Sequence, residues 1–228
     1  PQETRIHYII SPGGEAPNVV PDYAESHYYV RHPNADTLGK IWDRVIKIAQ
    51  AAAEGTETKV SIEVMHGNHS VLPNEELSQL MHRNLTRVGG VHYDAEELAF
   101  AETLSESMEN NYIGMEKEVM PYDKSQGMGS TDVGDVSWVV PTAGMRAATW
   151  VPGTVAHSWQ AIAAGGTSIG VKGMIVAAKT LALTAGDLYL KPGLIEAACQ
   201  EFNERQGENF QYKALLGDRD PPLDYRIK

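Results

Sequence analysis

Cysteine is almost absent from the sequence, and basic residues are outnumbered by acidic ones. The 228 residues include one cysteine, Cys199, which excludes a framework of disulfide bonds and fits a reducing, cytoplasmic location. Cys199 falls within a helical pattern, so we expect a buried structural thiol rather than a reactive one. The 30 acidic and 19 basic residues leave a formal net charge of −11. This balance argues against nucleic acid and anionic membrane surfaces as partners, because both favour basic patches.

Long hydrophobic runs are also missing. No apolar run reaches the roughly 20 residues that a membrane span requires, and we expect no signal peptide. Gly165 and Gly166, ahead of Ser168, are a weak signal for phosphate binding, because the rest of a P-loop motif is absent. A helix N-terminus capped by Thr167 or Ser168 is the simpler interpretation. Nothing in the pattern supports a nucleophilic triad.

The first part of the chain predicts two strands, a helix and a third strand. β-branched and aromatic residues indicate strands over residues 5–11 and 23–31. Asn34 or Asp36 can cap a long helix, and the alternation in residues 58–65 indicates the third strand. This β-β-α-β order is the split β-α-β-β-α-β sandwich without its first strand and helix. The pattern favours a truncated unit over a complete small domain.

The remainder of the chain predicts four helices and two short buried strands. We expect helices over residues 75–88, 94–110, 168–189 and 192–206, and strands over residues 137–140 and 145–151. The third of these helices is apolar nearly all round, so we expect it to be buried. The fold class is therefore mixed α/β, with expected domains of residues 1–71 and 72–228.

Two polar, Gly-rich segments are the first candidates for a functional site. They read GSTDVGDVS (129–137) and PGTVAHS (152–158), and loops on a rigid scaffold commonly carry binding residues. His157 lies at the junction between the second segment and a helix, where an imidazole makes a good metal ligand. A lone histidine more often has a structural role or simply lies on the surface. A zinc site also needs three or four ligands. Asp132 and Asp135 are the nearest further donors in the sequence.

Two other pairs of polar residues are weaker candidates. Asn18 lies in a loop bounded by prolines and Arg31 ends the neighbouring predicted strand, and an amide with a guanidinium suits a carboxylate ligand. Arg31 on a strand is also commonly a plain surface charge. His66 and His69 are spaced i, i+3, but a solvated turn is the simpler interpretation of that pair.

Two longer segments resemble one family of enzymes. GGEAPNVVPDYAESHYYVR resembles the lid, or dimerisation, domain of the co-catalytic zinc amidohydrolases, the family of aminoacylase, carboxypeptidase G and succinyl-diaminopimelate desuccinylase. GSTDVGDVS followed by PGTVAHSWQAIAAGGTSIG resembles the C-terminal half of that family's catalytic domain, and the tail LLGDRDPPLDYR fits one subgroup. The resemblance covers almost the whole chain. It implies a partial ferredoxin-like lid followed by half of an α/β metallohydrolase domain.

The resemblance also implies an activity and residues for it. The family hydrolyses an amide bond beside a carboxylate, as in an acyl- or aroyl-amino acid such as p-aminobenzoyl-glutamate, with a metal-bound hydroxide and a glutamate that shuttles the proton. By position, His157 matches a metal ligand, Asn18 a lid residue that reaches the site, and Arg31 a residue for the substrate carboxylate. Asp132 matches a segment beside the site. Zinc and manganese are both compatible, with two ions in a complete enzyme.

The sequence lacks several residues that the family uses for metal binding and catalysis. The family's metal-binding motif, bridging acid and general-base glutamate pair lie upstream of the matched part. We therefore expect a C-terminal fragment that neither binds two metals nor turns over substrate alone. A non-catalytic dimerisation module, and a protein that only binds acyl-amino acids through Asn18 and Arg31, remain as alternatives. A homodimer through the lid edge and a second hydrolase subunit are the expected macromolecular partners.

Overall fold

The computed structural model describes residues 1–218 except 12, 15, 110–113 and 125–128, together with residues 220 and 223. The tail motif LLGDRDPPLDYR and the end of the helix expected over residues 94–110 lie partly outside the described residues. Among the described residues the fold is mixed α/β, with one two-stranded antiparallel sheet and seven helices. The mixed fold class expected from the sequence is confirmed at this level.

The elements follow one another in the order β-β-α-α-α-α-α-α-α. They are β1 (Arg5–Ile10), β2 (Ser26–Arg31), α1 (Ala35–Gly55), α2 (Glu75–Val88), α3 (Ala95–Ser105), α4 (Val133–Ser137), α5 (Trp159–Gly165), α6 (Ser168–Leu190) and α7 (Pro192–Gln206). The chain divides into two compact units. The first contains residues 1–71, residues 130–135 and the chain from residue 212 on, and the second contains residues 72–129 and 136–211.

The first unit contains the hairpin of β1 and β2 with α1 packed against β2. The strands pair in register from Arg5 opposite Arg31 to Ile10 opposite Ser26, and the rings of Tyr8 and Tyr28 stack with centroids 5.5 Å apart. Asn34 caps α1 as expected, because its side chain accepts a hydrogen bond from the Thr37 N–H at 2.9 Å. None of the α1 residues is buried.

The third strand expected over residues 58–65 is wrong. These residues form no strand in the structure, and within the described chain β1 and β2 pair only with each other. The alternation is real, but a strand also needs a neighbour for its N–H and C=O groups. Val60 and Ile62, on the apolar face of the alternation, are exposed. The sequence pattern therefore indicates a segment suited to a sheet, but it does not indicate whether a partner strand is available.

The second unit is helical and has a small core. α2 packs along α6 and α7, and α5 packs on α6. The core cluster is formed by residues of α3, α5 and α6 with two loop residues, namely Ala101, Leu104, Met115, Val151, Ala164 and Ile169. The helix bounds expected for α2 and α7 are confirmed, and Thr167 caps α6. The helix expected over residues 94–110 ends at Ser105.

The two short strands expected over residues 137–140 and 145–151 are also wrong. Residues 133–137 form the single-turn helix α4, and residues 145–151 are irregular. Ser137 is buried and its hydroxyl accepts a hydrogen bond from the Leu72 N–H at 2.8 Å. Short apolar runs of four to seven residues do not distinguish a strand from a buried loop, because periodicity needs a longer window.

Helix α6 is much less buried than its composition predicts. It is long and apolar enough to cross a membrane, as core helices of soluble proteins also can be. Only 28% of its most apolar stretch is buried, so the expectation of a buried helix is wrong. Cys199, on α7, is likewise exposed and not the buried thiol that we expected. Its neighbour Ala198 takes the buried position, about 100° away around the helix.

Candidate functional site

The loop that carries His157 is fixed at both ends by the core of the second unit. Val151, at the start, is 1% exposed, and its carbonyl accepts hydrogen bonds from the Thr154 N–H at 3.1 Å and the Thr154 hydroxyl at 2.7 Å. Gly153 takes a left-handed conformation with φ of 90° to close this turn. At the far end Ser158 caps α5, because its hydroxyl oxygen accepts from the Ala161 N–H at 3.3 Å. The loop is therefore held at both ends, which fixes the position of its tip.

His157 itself sits in a strained backbone conformation. Its φ is 65°, a left-handed value that only a few per cent of non-glycine residues adopt. Its side chain is exposed. Such strain persists where the surrounding structure imposes it, and it concentrates at binding and active sites. A ring held outwards on a stiff loop is suited to binding a ligand or metal ion.

An open groove of about 600 Å³ lies beside His157 in the second unit. It is lined by Trp150, His157, Ser158, Trp159, Ala161 and Ile162. The lining is aromatic and aliphatic apart from His157 and Ser158. Sites for small molecules are commonly apolar with a few polar groups that fix orientation. This groove therefore suits a flat or apolar group placed next to the imidazole.

The structure leaves Asn18 and Arg31 at different parts of the first unit. Asn18 is exposed in the long β1–β2 connection, whose base is the Ile10–Ser26 pair. Arg31 is at the opposite end of β2, five residues or about 17 Å along the strand from that base. Its guanidinium lies 5.3 Å from the centre of the Tyr29 ring, a cation–π contact that holds the side chain.

Asp132 is exposed ahead of α4, while its neighbour Asp135 belongs to a cluster from three distant segments. The Asp135 carboxylate accepts hydrogen bonds from the His69 N–H at 3.3 Å and the Tyr212 hydroxyl at 3.0 Å. The His69 ring lies 3.0 Å from the Lys213 carbonyl oxygen and tilts against the Tyr212 ring. The hydrogen bond to Asp135 raises the pKa of Tyr212. Sequence spacing gives no signal for this cluster, which holds the chain around residue 212 in place.

Two short motifs that sequence reading passed over have structural roles. Gly166 to Gly170 matches G-x-S-x-G, but Ser168 follows a helix instead of a strand, and its hydroxyl donates to the Glu97 carboxylate at 2.6 Å. His92-Tyr93-Asp94 has H-x-D spacing, but Asp94 caps α3 in a reciprocal capping box with Glu97. Neither motif forms a nucleophile elbow or a metal site.

The Glu97 carboxylate is the most perturbed acid in the described chain. Hydrogen bonds from Lys172 at 2.6 Å and from Ser168, with the Asp94 N–H at 2.8 Å, lower its pKa to about 2. Glu97 is buried, and its partners lie on α6 and at the start of its own helix. Its role is therefore to join α3 to α6. It does not face the groove beside His157 and is not a candidate general base.

The residues present supply only part of a metal site. His157 offers one imidazole, and no group of three or more histidine, cysteine or acidic side chains suited to a metal occurs within the described residues. A metal centre needs three or four protein ligands. His157 belongs to the second unit, and Asn18, Arg31 and Asp132 to the first. The donors in the described part of the chain therefore do not fit a two-metal centre by themselves.

Comparisons with known proteins give a consistent set of relatives. No family model matches the chain. The chain is 36% identical over 231 residues, 89% of its length, to a subunit of the p-aminobenzoyl-glutamate hydrolase of Escherichia coli. It is 32% and 30% identical, over 87% and 90% of its length, to the Xaa-Arg dipeptidases of Mus musculus and Homo sapiens. It spans only 48%, 40% and 42% of those three proteins, less than half of each.

Proposed function

We propose that this chain, a relative of the Escherichia coli hydrolase subunit and of the Xaa-Arg dipeptidases, is the His157-bearing part of an amidohydrolase. The relatedness to these proteins confirms the resemblance drawn from the sequence, and all three relatives are named for cleaving amide or peptide bonds. The bond to be cleaved would join an acyl or aroyl group to an amino acid, as in p-aminobenzoyl-glutamate. The observation that carries the proposal is the strained, exposed His157 on a loop pinned to the core.

Three residues would act in binding. His157 would contribute one imidazole to a divalent metal, zinc or manganese. The other metal ligands and the general-base glutamate would come from the part of the relatives that this chain does not cover. Arg31 would pair with the amino acid's carboxylate, since a planar guanidinium forms bidentate bonds to carboxylates. Asn18 would donate its side-chain amide to the substrate from the lid loop, and Asp132 would lie beside the site. The aromatic lining of the groove next to His157 fits an aroyl group.

The two units would correspond to a lid and a catalytic half-domain. The hairpin with α1 would be a partial ferredoxin-like lid, completed by the strand and helix that the sequence lacks. Each strand of the hairpin has a neighbour on only one side within the described residues. An unpaired edge favours pairing with another chain, so the lid would form a homodimer. Static light scattering tests this, and a chain that is monomeric at high concentration would count against the dimer.

A non-catalytic dimerisation module is the second candidate function. The limited donor set around His157, among the described residues, and the exposed hairpin edges both suit it. The two candidates differ in the role of His157, because an exposed imidazole in a strained conformation has no function in a scaffold. Loss of activity on replacing His157 in a complete enzyme supports the hydrolase, and unchanged activity supports the scaffold.

Metal content and hydrolysis of the isolated chain test the proposal first. The purified chain is exposed overnight to zinc and manganese, desalted, and measured by inductively coupled plasma mass spectrometry. We expect well under two ions per chain and no release of p-aminobenzoate from p-aminobenzoyl-glutamate. Two tightly held ions or detectable hydrolysis would show that a full site lies within these 228 residues. His66, His69, Asp132 and Asp135 would then be the residues to replace next.

A further inference from the structure

Two arginines face each other across the hairpin of the first unit. β1 and β2 pair so that Arg5 lies directly opposite Arg31. Directly opposed side chains point to the same face of a sheet, with their Cβ atoms about 4.5–5.5 Å apart. Like charges in this arrangement destabilise a strand pair. Natural proteins retain local conflicts of this kind mainly at functional sites, so the pair is a candidate binding site.

The two arginines share their side of the hairpin with rings that carry polar atoms. The His27 and Tyr29 rings meet with centroids 5.2 Å apart, and the Arg31 guanidinium lies 5.3 Å from the centre of the Tyr29 ring. These alternate residues of β2 therefore point the same way, and the register places alternate residues of β1 beside them. We call this surface the arginine face, and its residues are Arg5, His7, His27, Tyr29 and Arg31.

No carboxylate of the described chain neutralises either guanidinium. The ion pairs among the described residues include neither Arg5 nor Arg31. Arg5 donates one Nη1 hydrogen bond to the Glu3 backbone carbonyl at 3.0 Å, while the Glu3 carboxylate lies 3.7 Å from the His32 Nε2. Each guanidinium has five N–H donors, so both keep donors for a ligand. A negatively charged ligand would relieve the repulsion between them.

Two carboxylates on one small molecule match two neighbouring guanidiniums. Each planar guanidinium can form a bidentate pair with one carboxylate. The carboxylates of glutamate are separated by three carbon atoms, and those of aspartate by two, a spacing similar to that of paired residues on adjacent strands. We propose that Arg5 and Arg31 together bind the two carboxylates of a dicarboxylic amino acid. Arg5 thereby selects glutamate or aspartate as the amino acid that follows the cleaved amide bond.

This inference rests on the proposed function at one point, the pairing of Arg31 with the main-chain carboxylate of the amino acid. Arg5 adds the choice of side chain. The relatives' names differ on this choice, since one is a p-aminobenzoyl-glutamate hydrolase and two are Xaa-Arg dipeptidases. A guanidinium at Arg5 attracts an acidic side chain and repels a basic one, and repulsion of the wrong ligand is an effective source of specificity.

Binding of product-like ligands tests the proposal without hydrolysis. The ¹⁵N-labelled chain is titrated at low salt with N-acetyl-L-glutamate, N-acetyl-L-glutamine and N-acetyl-L-arginine, and the Nε–H signals of Arg5 and Arg31 are followed by NMR. Glutamine keeps the shape of glutamate but carries a neutral amide. We expect N-acetyl-L-glutamate to move both signals and to bind roughly fivefold more tightly than N-acetyl-L-glutamine, the effect of one exposed ion pair of good geometry. N-acetyl-L-arginine should bind most weakly.

Three variants assign the two carboxylates. Arg5→Gln should remove the preference for N-acetyl-L-glutamate and leave the affinity for N-acetyl-L-glutamine unchanged. Arg31→Gln should weaken binding of both ligands, because both carry the main-chain carboxylate. Lys47→Gln removes one exposed positive charge from α1 and is the matched control. It should keep the preference, since the effect of Arg5 depends on its position and not on the net charge of the chain.

Thermal unfolding of Arg5→Gln separates ligand binding from a structural role. Removing one of two opposed like charges should leave the thermal midpoint unchanged or raise it. A lower midpoint would show that Arg5 supports the hairpin, which contradicts the conflict from which the proposal starts.

Four binding results would overturn the proposal. They are an Arg5 signal that does not respond to N-acetyl-L-glutamate, equal affinity for the glutamate and glutamine ligands, a preference that survives Arg5→Gln, and a preference that Lys47→Gln also abolishes. Tighter binding of N-acetyl-L-arginine would likewise contradict it. None of these measurements involves His157 or a metal, so each outcome leaves the proposed hydrolysis to be judged by its own experiment.

Discussion

Lys172 and Glu97 form an ion pair that joins the start of α6 to the start of α3, with 2.6 Å between the Lys172 Nζ and the Glu97 Oε2. Glu97 also caps its own helix by accepting from the Asp94 N–H, and it receives the Ser168 hydroxyl. The two helices that the pair joins contribute Ala101 and Ile169 to the core cluster, which also contains Val151 at the start of the His157 loop. The Lys172–Glu97 ion pair therefore helps to hold the core from which the His157 loop starts.

Glu97→Gln should destabilise the chain at neutral pH. The substitution removes a charge-assisted hydrogen bond with Lys172, for which roughly 1.5–3 kcal/mol is typical. Because the folded pKa of Glu97 is about 2, below that of an unfolded glutamate, its contribution is present above pH 4.5 and is lost as pH falls towards 2. Urea unfolding at a series of pH values measures this. The difference between the parent chain and the variant should shrink across that window, whereas exposed Glu96→Gln should show little difference at any pH.

Gly173→Ala should be strongly destabilising. A Cβ at Gly173 would overlap the Ala148 backbone carbonyl, which packs directly on α6. Gly186 on the same helix has nothing within 4 Å of its Cβ position. Gly186→Ala should therefore stabilise the helix by about 0.5–1 kcal/mol, the usual gain over glycine in a helix. Thermal unfolding followed by circular dichroism compares the two, and a drop of similar size in both would contradict the close approach at Gly173.

His157→Gly and His157→Ala should differ in stability although both remove the imidazole. Glycine adopts a φ of 65° without penalty, whereas alanine keeps the strain of a Cβ in the left-handed region. The left-handed conformation costs alanine roughly 1–2 kcal/mol, and the larger backbone entropy that glycine loses on folding offsets about 0.5–1 kcal/mol of this. The glycine variant should therefore be the more stable by about 0.5–1 kcal/mol. Urea unfolding of the two variants checks this. Equal stabilities would mean that the loop relaxes when the histidine is lost, and that strain is not imposed by its surroundings.

The elements that the sequence predicted correctly carry their own local signals. Asn74 caps α2, because its side chain accepts a hydrogen bond from the Leu77 N–H, and α7 starts with Pro192. Capping and proline preferences depend on neighbours in the chain, so they can be recognised without a fold. The cap of α1 at Asn34, and Gly89, which ends α2 with a φ of 84°, are local signals of the same kind.

The expectations that failed depend on groups distant in the chain. Residues 58–65 alternate like a strand but have no neighbour to pair with among the described residues, and α6 is apolar but covered on one side only. The contact of His69 with Asp135 and Tyr212 joins positions up to 143 residues apart. Each of these outcomes is set by what packs against the segment, which its own sequence does not encode. His157 could be singled out from its loop context, but its backbone strain could not.

The role of His157 is tested most directly by hydrolysis of p-aminobenzoyl-glutamate by a chimera in which this chain replaces the matching segment of the Escherichia coli hydrolase subunit. Zinc or manganese is supplied, and folding is checked by circular dichroism. We expect the parent chimera to release p-aminobenzoate. His157→Ala should abolish that release, and Glu204→Ala, a surface control, should retain it. Undiminished release by the folded His157→Ala chimera would contradict the proposed function, because His157 would then have no part in the reaction.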